Sequence, residues 1–138
     1  MKYAFTDSAS ARPLNVLGMV EKLLWDSDQS TVFLNELPPG AGAPPHLHRQ
    51  MEEGCKVLEG TVTFTLDGRV ETASAGHYIH IAEGVPHSFV NKGHSTAKMI
   101  WFCSPGRYWG FFEEAALLAP GDKEGLAKVA AAHHTKLL

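Results

Sequence analysis

Short runs of alternating apolar and polar residues, separated by turn-forming residues, recur along most of the chain. The clearest example is the strand-like segment 56–66, whose second half alternates Val, Phe and Leu with threonines. That alternation has the period of a half-buried strand. Asp67-Gly68 follows directly, a pair typical of two-residue hairpin turns because both turn positions take positive φ. We therefore predict a hairpin whose returning strand covers residues 69–72.

The same pattern predicts further strands on both sides of this hairpin. They cover residues 14–24, 31–37, 78–81, 86–90 and 96–103. A polar cluster over residues 26–30 predicts a turn between the first two strands. The proline-rich stretch 38–45 predicts a stiff loop, because proline fixes φ and cannot donate to a strand ladder. Many short, evenly spaced strands are typical of a closed or sandwich-like all-β architecture.

The C-terminal part of the chain has a different composition. Residues 109–118 and 122–134 are helical in composition, and Pro120-Gly121 separates them. Asp122 is a candidate N-cap for the second helix. A narrow apolar stripe on that helix predicts that it packs against the barrel or against a partner chain.

Length and charge narrow the class of protein. A chain of 138 residues has the size of one domain, so we predict a single domain with a barrel over about residues 14–104 and a helical tail over about 109–136. The net charge of −3 gives no reason to expect nucleic acid as a partner. No segment approaches the roughly 18 apolar residues that span a bilayer, and no signal-peptide pattern is present. We expect a cytoplasmic protein that does not bind membranes, with Cys55 and Cys103 reduced and buried.

Two histidines and a carboxylate come directly after the proline-rich stretch. His46 and His48 are two residues apart, so on a strand they point to the same face. Glu53 supplies a carboxylate after a short break. Two imidazoles and a carboxylate suit Fe, Mn, Ni, Co, Zn or Cu as divalent ions. An isolated His-x-His pair is more often two surface histidines, so these residues alone leave both interpretations open.

The spacing around these residues resembles the two conserved motifs of the cupin superfamily. The first motif is matched by Gly40-x5-His46-x-His48-x4-Glu53-x6-Gly60, and the second by Gly76-x5-Ala82-Glu83-Gly84-Val85-Pro86-His87-x3-Asn91. The departure is Ala82, where cupins usually have a proline that shapes a turn and binds no metal. The resemblance implies an all-β fold, the double-stranded β-helix or jelly-roll barrel of cupins, with short C-terminal helices.

The cupin motifs also imply a ligand set. Carried onto this chain, they imply one divalent metal ion (Fe, Mn, Ni, Co, Cu or Zn) held by His46, His48, Glu53 and His87. Glu52 is the neighbour that could be confused with Glu53. Glu53 is preferred because it keeps the motif's spacing to the next glycine, and adjacent strand residues face opposite sides. Glu53 is also the candidate catalytic base, accepting a proton from substrate.

Several other residues have both a functional and a structural interpretation. Phe89, Met51 and Trp101 are candidate pocket residues, Phe89 above all because it shares the inward face of His87. Ordinary barrel core is the alternative for each. Further histidines and arginines are expected to face solvent or to make local hydrogen bonds, although the arginines could bind an anionic ligand: His77, His80, His94, Arg49 and Arg107.

The end of the predicted barrel carries a finer resemblance. Residues 104–114 are similar to the corresponding segment of small bacterial cupins called quercetin-dioxygenase-like. This implies a metal-dependent oxygenase acting on a small flavonol- or diketone-like substrate, with a metal-dependent isomerase or cyclase as a variant. A non-catalytic cupin that binds a small molecule and a purely structural barrel are the alternatives. Because small cupins commonly pair through N-terminal strands, the resemblance also implies a homodimer.

Overall fold

Two antiparallel β-sheets pack face to face, and two short helices precede the last strand of the second sheet. The computed structural model describes residues 3–138. Its strands are β1 (Pro13–Val16), β2 (Met19–Asp26), β3 (Thr31–Leu37), β4 (Gly42–His48), β5 (Glu52–Glu59), β6 (Thr61–Leu66), β7 (Arg69–Ser74), β8 (Tyr78–Ile81), β9 (His87–Val90), β10 (Ala97–Ser104) and β11 (Thr135–Leu137). Its helices are α1 (Trp109–Ala115) and α2 (Lys123–Ala132). The predicted all-β fold with short C-terminal helices is confirmed.

The order of strands in the sheets places the core between them. One sheet has the order β1-β2-β3-β10-β5-β8, and the other has the order β11-β4-β9-β6-β7. Side chains that alternate along each strand fill the interior: on β6, Val62 and Phe64 are fully buried while Thr61 is exposed. Burial of such aromatic and aliphatic side chains is the main contribution to stability. Neither helix in residues 3–138 has the length and apolar character of a membrane-spanning segment.

One predicted hairpin turn is present, and a second hairpin that was not predicted lies near the N-terminus. Asp67 and Gly68 both have positive φ (49° and 83°) and join β6 to β7, as predicted. The strand predicted over residues 14–24 is instead two strands, because Leu17 and Gly18 also have positive φ (54° and 78°) and turn the chain between β1 and β2. β1 therefore forms an edge of its sheet, and homodimer formation through it stays a prediction.

The prediction of a loop over residues 38–45 was wrong in its second half. β4 starts at Gly42, contains Pro44 and Pro45, and lies between β11 and β9. The register against β9 shifts between Ala43 and His46, where the two prolines supply no N–H for the ladder. Such a bulge is one of the few places where a sheet accepts proline. After it, His46 lies directly opposite His87.

The prediction that the C-terminal tail is helical to about residue 136 was wrong. α2 begins after its N-cap Asp122, which accepts a hydrogen bond from Gly125 N (2.8 Å), as expected. The helix ends at Ala132, and His134 at φ 56° turns the chain. β11 then pairs with β4, with Thr135 opposite His48. The sequence pattern missed this strand because three residues directly after a helix are too few to show a period.

The cysteines match the prediction. Cys55 and Cys103 are both buried and unbridged. They lie on the inner face of the six-stranded sheet, where burial raises the pKa of both thiols. A buried thiol with a raised pKa carries little thiolate and is therefore unreactive.

We expect Gly42→Ala to destabilise the protein by about 3 kcal/mol or more. A Cβ at this position would overlap the carbonyl oxygen of Phe89 on β9, and backbone cannot move aside as a flexible side chain can. The measurement is urea denaturation. Gly68→Ala is the comparison, because open space surrounds Gly68 and only its positive φ is penalised, at roughly 1 kcal/mol. Equal losses in the two variants would contradict the close approach of β4 and β9.

Candidate metal centre

Four side chains from three strands meet at one end of the barrel. His46 and His48 on β4, His87 on β9 and Glu53 on β5 each offer a ligand atom, and these atoms all lie within 4.8 Å of one another. The side chains are buried, with exposed fractions between 3% and 9%. β4 and β9 belong to one sheet and β5 to the other. The cluster therefore lies where the two sheets face each other.

The carboxylate of Glu53 is the centre of this cluster. Its Oε1 lies 2.8 Å from His87 Nε2 and 3.2 Å from His48 Nε2. Glu52, the adjacent residue, is exposed and lies near His80 on the outside (3.4 Å). The two residues face opposite sides because successive strand residues alternate.

Backbone carbonyl groups fix the orientation of two of the imidazoles. His46 Nδ1 lies 2.7 Å from Pro44 O, and His87 Nδ1 lies 2.9 Å from Val85 O. A carbonyl oxygen only accepts hydrogen bonds, so each Nδ1 carries the hydrogen and donates it. In the neutral ring, the lone pair is then on Nε2, which faces the cluster. Metal-binding histidines in proteins are held in this way.

A hydroxyl group on β11 fixes the third imidazole. His48 Nδ1 lies 2.9 Å from Thr135 Oγ1. Thr135 Oγ1 donates its single hydrogen to His133 O (3.2 Å), so it accepts from His48 Nδ1. Tyr108 OH lies 3.0 Å from the same oxygen, and the Tyr108 ring contacts His48 edge-on. His48 thus has the same tautomer as the other two.

Burial and mutual charge set the ionisation of the cluster. Burial would raise the pKa of Glu53, but the imidazoles of His48 and His87 beside its carboxylate outweigh burial and hold that pKa well below its usual range. Burial and the neighbouring imidazoles lower the pKa of His46 to about 4. Burial lowers the pKa of His87, while Glu53 raises it above the ordinary value overall. At neutral pH the cluster therefore contains an ionised carboxylate and a neutral His46, the forms that bind metal ions.

The geometry of the cluster fits a divalent metal ion. His87 Nε2 is buried and makes no hydrogen bond of good geometry with any described residue, although Glu53 Oε1 is 2.8 Å away. A buried polar atom without a partner is costly. A cation between the imidazoles and the carboxylate would satisfy all four groups. Three nitrogen donors and one oxygen donor suit Fe, Mn, Ni, Co, Cu or Zn.

An apolar cavity of about 70 Å³ opens beside the cluster. His46, His48 and Glu53 form part of its wall. Phe89 and Trp101, two of the three candidate pocket residues, also line it. Met51 is buried but is not among the residues that line this cavity. Most of the remaining wall is apolar and includes Val16, Met19, Phe33, Phe111, Phe112, Leu126 and Leu137.

The sequence analysis did not identify Thr135, Glu21 or Asn35. Glu21 and Asn35 are buried and line the cavity. The sequence could have indicated them, because each has an apolar residue two positions before it and another two positions after it. Residues two apart on a strand share a face, so each lies on the face that points into the core. A polar residue at a core position is more informative than another apolar one. Thr135 gave no such signal because β11 was not predicted.

The other histidines and arginines that the sequence analysis named lie outside the group of four. The three histidines His77, His80 and His94 are exposed, as expected. Arg107 is exposed and pairs with Asp28 (2.8 Å), and Arg49 is exposed next to β4. The structure brings none of these five into the group of four.

We expect Thr135→Val to lower the affinity for a divalent metal ion about 10- to 100-fold. Valine has nearly the same shape but cannot accept the hydrogen bond from His48 Nδ1. The measurement is competition for Zn²⁺ or Mn²⁺ against a chromophoric chelator. Thr135→Ser keeps the hydroxyl group and should bind within about threefold of the wild type. Equal affinities of the Val and Ser variants would show that Thr135 does not orient His48.

Comparison with known proteins gives one family and several similar structures. The profile of the family described as Cupin domain matches residues 33–103, about half of the chain. Quercetin 2,3-dioxygenase of Bacillus subtilis is 39% identical over 57 residues, which are 41% of this chain and 17% of that protein.

Two solved structures show the same fold over most of the chain. An RmlC-like cupin from Shewanella frigidimarina has a TM-score of 0.71 at 20% identity, covering 78% of this chain and 95% of that one. The polyketide cyclase RemF from Streptomyces resistomycificus has a TM-score of 0.67 at 24% identity, covering 77% and 82%.

Proposed function

Because this chain belongs to the cupin family, we propose that it is a mononuclear metal-dependent enzyme, an oxygenase that acts on a small organic substrate. The observation that carries the proposal is the buried group of three imidazoles and one carboxylate beside an apolar cavity. The Nδ1 atoms of the three imidazoles are held by hydrogen bonds to groups outside the cluster. Histidines exposed to solvent would not need such support. An apolar wall with a few polar groups is typical of a small-molecule site.

His46, His48, Glu53 and His87 would hold one divalent ion of Fe, Mn, Ni, Co, Cu or Zn. Four protein ligands leave one or two positions free on an ion that prefers five or six. The ion, when bound, supplies Lewis acidity and those free positions. The chain itself supplies the orientation of the imidazoles and excludes water with the aromatic wall of the cavity.

Glu53 has a second role in this proposal, as the group that accepts a proton from a substrate hydroxyl. The same imidazoles that lower its pKa keep the carboxylate ionised at neutral pH. It lies at the wall of the cavity, where a substrate can reach it. A general base must be ionised and within hydrogen-bond reach of the proton that it accepts, and a carboxylate with a lowered pKa meets these two conditions as a weak base. Phe89 and Trp101 would position the body of the substrate.

The partial match to quercetin 2,3-dioxygenase supports an oxygenase over the other reactions that cupins carry out. The match covers 57 residues and so only a small part of that protein. It therefore supports a class of reaction, with flavonols or diketones as the compounds to test first.

The test is dioxygen uptake by protein purified without oxygen or an affinity tag and reconstituted with each metal ion in turn. Quercetin and acetylacetone are the probe compounds. We expect dioxygen consumption that matches loss of one probe, is absent in Glu53→Ala and is retained in Glu52→Ala. Probe conversion without dioxygen uptake would replace the oxygenase by an isomerase or cyclase. Probe binding without conversion would indicate a non-catalytic binding protein.

A further inference from the structure

Two polar side chains lie among the apolar residues on the inner face of the six-stranded sheet. Glu21 on β2 and Asn35 on β3 are opposite each other in the strand register. Each is only 1% exposed, and both line the cavity that the metal centre also borders. Neither belongs to the cupin motifs.

The contact between them leaves one oxygen of each side chain without a partner. Asn35 Nδ2 donates to Glu21 Oε1 at 2.7 Å. Glu21 Oε2 and Asn35 Oδ1 make no hydrogen bond with any residue in the described part of the chain. Leaving a buried polar atom unpaired is expensive, and folded proteins rarely do so without a reason. Two such atoms on adjacent strands in one cavity indicate a site for a ligand.

The protonation of Glu21 determines what the site offers. Burial raises the pKa of Glu21 to about 8, even though the hydrogen bond from Asn35 lowers it. The side chain is then mostly protonated at neutral pH. Because Oε1 already accepts a hydrogen bond, the proton is carried by Oε2. The pair therefore presents one donor, Glu21 Oε2–H, and one acceptor, Asn35 Oδ1.

A hydroxyl group matches this pair on both sides. Its oxygen accepts from Glu21 Oε2–H and its hydrogen is donated to Asn35 Oδ1. A carbonyl or ether oxygen would use only the donor, and an ammonium group only the acceptor. We propose that Glu21 and Asn35 form a hydroxyl subsite, which selects substrates carrying a neutral alcohol or phenol group on an apolar body.

The hydroxyl subsite lies at a distance from the metal centre. Asn35 is opposite Met99 on β10, whereas Glu53 is opposite Cys103, four residues further along the same strand. At about 3.3 Å per residue these rows are separated by about 13 Å along the strand. The row between them contains Phe33 and Trp101. A substrate would lie against these rings, with its hydroxyl group away from the reacting end, so the subsite determines specificity.

That the bound compound is a substrate rests on the proposed function, but the hydroxyl subsite can be tested without assuming that function. Phenol and anisole are the probes, because methylation removes the hydrogen that phenol would donate to Asn35. Binding is measured by NMR titration of protein freed of metal with a chelator. We expect phenol to bind at least about tenfold more tightly than anisole. Equal binding of the two probes would overturn the proposal.

Variants separate the subsite from general effects on the cavity. Glu21→Gln keeps an oxygen for Asn35 Nδ2 and places an N–H donor where Oε2–H was, so the preference for phenol should remain. Asn35→Leu has a similar volume and no acceptor for the phenol hydrogen, and the preference should fall to about twofold or less. Persistence of the preference in Asn35→Leu would overturn the proposal. Because metal-free protein is used, these results do not depend on whether the oxygenase assay succeeds. The wild-type and Glu21→Gln comparisons stand even where Asn35→Leu does not fold.

Discussion

Replacing His87 with alanine should lower the affinity for a divalent metal ion by more than about 100-fold, since loss of an outer hydrogen-bond partner alone costs 10- to 100-fold. The imidazole of His87 is almost fully buried and is the nitrogen donor nearest to Glu53. Its removal leaves only His46, His48 and the carboxylate. No described residue near the cluster offers a replacement nitrogen, because the other histidines lie outside the group.

The measurement is metal content by mass spectrometry on protein purified without oxygen or a tag, followed by titration of the metal-free form. The wild type should contain close to one ion of Fe, Mn, Ni, Co, Cu or Zn per chain, and His87→Ala nearly none. His94→Ala is the matched control, because His94 is exposed on a loop and should not change the metal content. Equal metal content in His87→Ala and wild type would show that the four-residue group is not the binding site.

Glu21→Gln should make the protein more stable than wild type at pH 8 but not at pH 4. An acid whose pKa is higher in the folded protein than in the unfolded chain binds its proton more tightly when folded, so stability falls as pH rises through that interval. For Glu21 the interval runs from the ordinary value of 4.5 to about 8. The loss in the wild type is on the order of 4 kcal/mol. Glutamine carries no charge at any pH and avoids this loss.

The measurement is urea denaturation of both proteins between pH 4 and pH 9, taken as a difference at each pH. The difference removes the contributions of His46 and His87, which titrate equally in both proteins. Cys103 and Tyr108, whose charged forms would interact with that of Glu21, stay neutral because burial raises the pKa of each well above its usual value. Glu71→Gln, on exposed β7, is the control and should follow the wild type. A constant difference between Glu21→Gln and wild type would show that Glu21 is not buried in its protonated form.

Much of the fold could be predicted because local signals agree with the tertiary structure. The alternation in β6 and the Asp67-Gly68 turn each depend on neighbouring residues alone, and both appear as predicted. The proline-containing strand could not be predicted in this way. Pro44 and Pro45 oppose strand formation locally, and only the bulge opposite β9 lets them enter the sheet. That bulge depends on contacts with residues more than forty positions away.

The candidate site shows the same division. The strand period alone predicts that His46 and His48 point to the same face, whereas Glu53 and His87 were assigned from the resemblance to the cupin motifs. The groups that orient the imidazoles are less visible, since two are backbone carbonyls and the third is on β11. Asn35 and Glu21 interrupt apolar strands, yet their pairing across β2 and β3 depends on a register that the sequence does not specify locally.

The hydrogen bond between His48 and Thr135 joins residues 87 positions apart in the chain. During synthesis from the N-terminus, all four candidate ligands emerge before β11 does. A nascent chain that has reached only the end of α2 at Ala132 can bring these ligands together, but His48 then lacks its acceptor and its ring can turn. Contacts this distant in sequence also form slowly. The imidazole of His48 is therefore held in its orientation only after β11 has emerged and paired with β4.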